Sequence, residues 1–188
     1  MSLRILGGER RGTVLRTPRG AATRPTLGRV RASLFTILHD RLPGARALDG
    51  FAGCGALGLE ALSRGAAQAT FVEKARAGLE ALHANIRKLG WGDRATVAAG
   101  DMLRILGATE PVAGAPFDLL FFDPPYGRGL CERTLQKLAV RLDAWMTEDG
   151  LIVMQAGVED RLGEGYGDLV RQDSRTHGVT RIDFYSKK

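Results

Sequence analysis

From residue 45 onward, short apolar runs alternate with stretches whose apolar residues recur every three or four positions. That pattern predicts buried strands alternating with amphipathic helices. The strands fall at Ala45–Asp49, Ala69–Val72, Ala95–Ala99, Phe117–Phe122 and Leu151–Met154. The helices fall at Leu57–Arg64, Ala75–Leu89, Met102–Leu106 and Leu130–Leu142. Phe117–Phe122 is an apolar run bounded by acids, as a parallel strand covered on both faces should be. Residues 168–174 and 179–186 form a strand pair that closes the sheet. The expected fold class is α/β, a doubly wound sheet, with its ligand beyond the carboxyl ends of the strands where their order switches.

The first 44 residues follow another pattern. Leu3–Leu6 and Gly12–Leu15 suggest a hairpin turning through Gly7-Gly8. Pro18 to Pro25 is loop, and Thr26 is placed to cap a helix over 27–40 with Val30, Leu34, Ile37 and Leu38 on one face. Pro43-Gly44 ends that element.

Charge sharpens the division. Residues 1–46 hold ten arginines against Glu9 and Asp40, a balance of +8, whereas the rest carries 17 basic and 19 acidic residues, a balance of −2. A one-sided basic segment built from arginine, whose planar fork binds phosphate bidentately, is the footprint of a nucleic-acid surface. Composition narrows the remainder. With 188 residues and 44% hydrophobic content the chain can bury a core, which argues against disorder. No apolar run approaches the ~18 residues of a membrane span, and Met1–Arg4 lacks the apolar stretch of a secretory signal, so a cytoplasmic location is expected. Cys54 and Cys131 have no metal-type spacing, so no metal is expected.

Two motifs carry the chemistry. Gly53-Cys54-Gly55-Ala56-Leu57-Gly58 fits G-x-G-x-x-G, with Glu73 twenty residues on, which alone suits a dinucleotide as well as other ligands. Asp49, at the end of the preceding strand, would repel a pyrophosphate. Glu73, Asp101 and Asp123 also stand at strand exits, so the crevice is electronegative. It suits a cation such as S-adenosyl-L-methionine and disfavours a nicotinamide dinucleotide. Gly53 and Gly55 let backbone approach the ligand, Glu73 is placed to accept both ribose hydroxyls, and Asp101 with Met102 is placed at the adenine; Asp101 can also cap the following helix. In Asp123-Pro124-Pro125-Tyr126 an acid precedes two residues that lack N–H donors. The result is an acceptor cluster for an exocyclic amino group, with Tyr126 as a stacking face.

Gly7–Gly12, Thr23–Thr26 with Arg29-Val30-Arg31, Leu48–Ala61 and Asp123–Tyr126, taken in order along nearly the whole chain, resemble the bacterial small-subunit ribosomal RNA guanine-N2 methyltransferases of the RsmD type. The resemblance implies a Rossmann-like class I S-adenosylmethionine-dependent fold with a seven-stranded, mostly parallel sheet. It implies a basic, RNA-facing extension over 1–44, a methyltransferase domain over 45–188 and ribosomal RNA as partner. It puts the methyl donor at Asp49, Gly53, Gly55, Glu73, Asp101 and Met102, and the target amine at Asp123 and Tyr126 with Pro124 and Pro125. Arg4, Arg10, Arg11, Arg24, Arg29 and Arg31 are the candidate RNA contacts. The sequence departs from the family at Gly50, where a larger apolar residue is usual and glycine would loosen the turn after Asp49, and at Gln155, where an acid is more usual. The motif by itself leaves open adenine N6 in DNA, another RNA amine, or a non-catalytic RNA-binding assembly factor.

Overall fold

The computed structural model of the chain describes residues 2–18 and 25–188, and the side chains of all of these but 25–27. Helix α1 (Pro25–Ile37) and a short 3-10 turn (His39–Arg41) lead into the alternating part. There follow β1 (Arg46–Asp49), α2 (Ala56–Ser63), β2 (Gln68–Glu73), α3 (Arg76–Leu89), β3 (Ala95–Ala99), α4 (Met102–Leu106) and β4 (Phe117–Phe122). The chain continues through α5 (Leu130–Val140), α6 (Leu142–Trp145), β5 (Met146–Gly157), β6 (Gly165–Tyr166), β7 (Leu169–His177) and β8 (Thr180–Lys187).

One sheet contains every strand, in the order β3-β2-β1-β4-β5-β8-β7-β6. The first five are parallel, and β8 is antiparallel to both β5 and β7. The order switches between β1 and β4, which opens a crevice at their carboxyl ends. Register sets its depth. Asp49 pairs with Phe71 and with Phe121, so β1 stops two residues short of Glu73 and of Asp123. At ~3.3 Å per residue, Asp49 lies about 7 Å deeper than those acids.

Alternation along the strands sends side chains to two cores. Leu119 and Phe121 of β4 join Leu34, Phe35, Leu59, Leu62 and Leu82 on one face. Leu120 and Phe122 join Leu103, Leu106, Leu135, Leu138 and Trp145 on the other. Ile5, Leu15, Val30, Leu38 and Leu42 belong to the first core, so the basic extension is packed onto the sheet through the same apolar layer.

Several expectations need correction. The sheet has eight strands where seven were expected; the extra one, β6, is two residues long and too short to show an alternation. Strand β5 begins at Met146, well before the apolar run at Leu151; the polar residues Thr147–Asp149 hid its start from the hydrophobic pattern. The helix expected over Leu130–Leu142 breaks at Arg141. The N-terminal hairpin pairs Leu3–Ile5 with Gly12–Leu15 through three backbone hydrogen bonds around the Arg4–Val14 bridge, and the helix that follows starts at Pro25, where a residue without a donor N–H costs nothing. At Gly50 the place of the usual larger side chain is taken. A Cβ there would stand 2.4 Å from Cε1 of Phe122, so that ring already fills the space a larger side chain would take.

Arg31 is not an exposed phosphate contact. It is 7% exposed, one guanidinium nitrogen donates to the Arg4 carbonyl, and Nε lies 3.8 Å from Oε2 of Glu60. Burial lowers its pKa from the ordinary arginine value, with the Glu60 charge opposing. Glu60, fully buried on α2, also accepts from the Leu6 N–H at 2.8 Å and from Arg64 Nε at 2.8 Å. One carboxylate thereby fastens the hairpin, α1 and α2 together. Glu60→Ala leaves a buried guanidinium uncompensated, and urea unfolding should show a loss of about 3–5 kcal/mol; a midpoint close to wild type would refute this role.

Candidate active site

The β1–α2 turn carries the glycine motif, and its glycines are used for shape. Gly53 and Gly55 have φ of 54° and 86°, and Gly55 caps α2 in the left-handed conformation. Asp49, 1% exposed, lies beneath this turn, and its Oδ2 accepts the Gly58 N–H at 2.9 Å. Burial raises its pKa to about 7; the Gly58 N–H opposes, while the charges of Asp123 and Glu73 push the same way as burial.

Glu73 ends β2 and gathers the neighbouring backbone. Its Oε2 accepts from Gly53 N–H at 2.7 Å, and its Oε1 accepts from Lys74 and Ala75 N–H at 2.9 and 2.6 Å. With two lone pairs per oxygen, Oε1 is filled and Oε2 can accept once more. A single ribose hydroxyl therefore fits this arrangement better than the pair expected from sequence. Asp101 is the N-cap of α4, with Oδ1 accepting from Leu103 and Arg104 N–H at 3.0 and 3.3 Å. Its Oδ2 pairs with Lys74 Nζ at 3.0 Å, and this bond, foremost, lowers its pKa. Met102 beside it is buried, at 2% exposed.

The fourth acid differs. Asp123 follows β4 directly, and among the described residues no backbone N–H donates to its carboxylate. Burial raises its pKa to about 6, with the Tyr126 hydroxyl opposing. Burial likewise raises the pKa of Tyr126 to about 12. Three of the four strand-end acids thus spend acceptor capacity on the backbone around them; Asp123 spends none there and shares its carboxylate with the Tyr126 hydroxyl.

Both groups meet at one cavity of about 790 Å³. Gly50, Phe51, Val72, Glu73, Lys74 and Met102 line one half; Asp123, Pro124, Pro125 and Tyr126, with the β7–β8 tip Gly178-Val179-Thr180, line the other. Asp49, Gly53, Gly55 and Asp101 are not among the residues that line it, nor is Gln155, 6% exposed on β5. The motif reading did not include Phe51, Lys74 or the β7–β8 tip. Phe51 and Lys74 each adjoin a singled-out residue, a signal that was available; the tip comes from the far end of the chain and left none. The residues present fit an adenosyl sulfonium: an apolar slot between Phe51, Val72 and Met102, a carboxylate acceptor at Glu73 and an excess of acids nearby.

The arginines divide by position. The loop bearing Arg10 and Arg11 is docked on the carboxyl end of α2, where Glu9 and Arg10 N–H groups reach Ser63, at the end of the sheet opposite the cavity. Arg16 is held through Asn85, which also donates to the Cys54 carbonyl in the glycine turn. Helix α1 runs toward the start of β1 and carries Arg29 on its exposed side. Arg4, Arg10, Arg11, Arg16 and Arg29 are exposed and have no carboxylate within ion-pairing distance among the described residues. Arg24 lies outside the described residues.

Comparison with known proteins agrees with this geometry. The family model described as Conserved hypothetical protein 95 matches residues 3–186. Ribosomal RNA small subunit methyltransferase D of Escherichia coli (strain K12) is 41% identical over 160 residues, covering 85% of this chain and 77% of that protein. YlbH of Bacillus subtilis (strain 168) is 35% identical over 188 residues, covering 99% of this chain and 100% of that one. The solved structure of yhhF from Escherichia coli superposes with a TM-score of 0.86 at 34% identity, covering 100% of this chain and 99% of that one. The chain belongs to the Conserved hypothetical protein 95 family, the RsmD family, and has the Rossmann-like fold of the class I methyltransferases.

Proposed function

We propose that this protein transfers a methyl group from S-adenosyl-L-methionine to the exocyclic N2 of a guanine in small-subunit ribosomal RNA. The observation that carries the reading is the contrast among the strand-end acids: Asp123 alone accepts from no backbone N–H among the described residues, and it stands with Tyr126 on the wall of the cavity that the donor side shares. The family's ribosomal RNA methyltransferases supply the substrate class.

In this reading the donor supplies an electrophilic methyl on a sulfonium, accommodated by Phe51, Val72, Glu73 and Met102. Asp49, Gly53 and Gly55 hold the β1–α2 turn, and Asp101 caps α4 beside Met102. The Asp123 carboxylate accepts an N–H of the target amine, and the carbonyls of the following proline-rich turn offer further acceptors. Tyr126 stacks on the base, which has to be unpaired or flipped out of its helix to arrive. Held this way, the amine nitrogen turns its lone pair toward the methyl group. Asp123 stabilises the positive charge that grows on nitrogen and receives the proton that the alkylated nitrogen sheds. Arg16, tied to the glycine turn through Asn85, and the exposed Arg29 hold flanking phosphates, and Arg4, Arg10 and Arg11 extend the attraction to the opposite end.

Asp123→Asn should reduce methyl transfer by about 10²-fold while calorimetry shows the donor still binding; wild-type turnover would sink the assignment. Nucleoside digestion of the labelled RNA should yield N2-methylguanosine, and a label on adenine or on DNA would redirect the substrate reading. The pH dependence follows from the raised Asp123 pKa. The ionised form is the one that accepts the amine's N–H, so activity should be lost as pH falls through about 6, an acid limb that a profile of initial rates would detect. Salt dependence separates the arginines. Arg29→Ala should lower the slope of log K against log salt by about one, whereas Arg31→Ala should lower thermal stability and leave that slope unchanged.

A further inference from the structure

Away from the strand-end acids, a single carboxylate in the β5–β6 loop joins three segments around the acceptor half of the cavity. Asp160 accepts the Gly127 N–H on Oδ1 at 3.1 Å and the Gly157 N–H on Oδ2 at 2.9 Å. Its backbone carbonyl accepts from Arg181 Nη2 at 2.8 Å, and Arg181 in turn pairs through Nε with the fully buried Asp183 at 2.7 Å. The residue immediately after Tyr126, the last residue of β5 and the second residue of β8 are therefore tied through one side chain and its own backbone.

We propose that Asp160 is a positioning residue for the acceptor base: it locks the Asp123–Gly127 loop against β5 and, with Thr180, fixes the plane of the Tyr126 ring. The proposal rests on the reading of Asp123 and Tyr126 as the acceptor site. The loop needs such a lock. The two prolines stiffen it at 124–125, but Gly127 and Gly129 follow at φ of 69° and 62°, and residues 127–129 are exposed. Tyr126 is held from two directions. Its hydroxyl lies 3.4 Å from Oγ1 of Thr180, a residue only 4% exposed that itself lines the cavity. Its ring rests on the backbone of Gly157, where an added Cβ would come within 3.4 Å of Tyr126 Cβ and 3.2 Å of Asp160 Oδ2. The two arms are coupled at the hairpin tip, since the Val158 N–H donates to the Val179 carbonyl at 3.1 Å. Losing the Asp160 acceptors frees Gly127 N–H and lets the ring tilt away from the base.

A shift of about 1 Å in a reacting group can cost about 100-fold in rate, and that sets the expected readout. With donor saturating, Asp160→Ala should lower kcat toward RNA by about 100-fold and Asp160→Asn, which keeps one acceptor oxygen, by about 10-fold. Donor affinity by calorimetry and Tm should stay at their wild-type values. Thr180→Val should lower kcat in the same way, and Thr180→Ser, which restores the hydroxyl, should recover it. The proposal is overturned if kcat is unchanged in both Asp160 variants while Asp123→Asn is inactive. It is equally overturned if the rate falls only together with Tm and donor affinity, or if Thr180→Ser behaves like Thr180→Val. Wild-type turnover in both Asp123→Asn and Tyr126→Ala would instead remove the acceptor reading beneath it.

Discussion

The crowding of carboxylates at the carboxyl ends of adjacent parallel strands is the constraint to which the rest of the molecule answers. Asp49, Glu73, Asp101 and Asp123 leave β1, β2, β3 and β4 on the same side of the sheet. Burial is the main cause that raises the Asp49 carboxyl to about 7, and the charges of Asp123 and Glu73 push the same way. Backbone N–H groups relieve the strain: one from α2 for Asp49, three from the strand-end turns for Glu73, two from α4 for Asp101. Lys74 adds the only ion pair to one of these four acids among the described residues. A cation entering the crevice would complete the compensation, so the fold and a sulfonium ligand satisfy the same electrostatic demand.

The basic N-terminal segment is joined to this region by buried polar side chains. Glu60 and Asn85 are both inaccessible to solvent on α2 and α3, and each binds backbone of residues 6–16. Asn85 also donates to the Cys54 carbonyl, so the glycine turn and Arg16 share an anchor. A buried polar group without partners is costly; with its partners, each of these positions the N-terminal chain in one register. A hydrophobic layer alone would permit sliding. The arginine-rich segment is consequently held at fixed distance from the cavity by the same helices that build it.

The strands from 45 to 122 were legible because each is short, apolar and followed by an acid or glycine, and their ends located the cavity's acids. What the chain does not display locally is register. Nothing near Asp49 says that β1 stops two residues below its neighbours, which decides that this acid supports the glycine turn from beneath. Arg31 looked like its neighbour Arg29, since helical periodicity over a loosely apolar α1 does not say that Glu60 waits in the core for one of them. Gly50 looked like a defect until Phe122, seventy-two positions away, proved to fill its missing side chain. Asp160 was invisible for the same reason: its partner Gly127 is 33 residues distant.

Strand direction explains why the far end of the chain reaches the cavity at all. Had β8 run parallel to β5, its final residues would stand at the carboxyl ends and its connection to β7 would lie at the opposite side of the sheet. Because it is antiparallel, its first residue Thr180 and the tip at Gly178-Val179 arrive beside Tyr126. The sheet needs only backbone pairing to accept β8 in this sense, so its direction has no consequence for the core, where Ile182 and Phe184 join one apolar layer and Tyr185 the other. The consequence falls on the mouth of the cavity. There the hairpin adds a wall that the parallel strands cannot make, with Val179 61% exposed on it. An exposed apolar side chain on the same wall as Tyr126 makes this side of the cavity mouth nonpolar, where Glu73 and Asp123 make the strand ends charged.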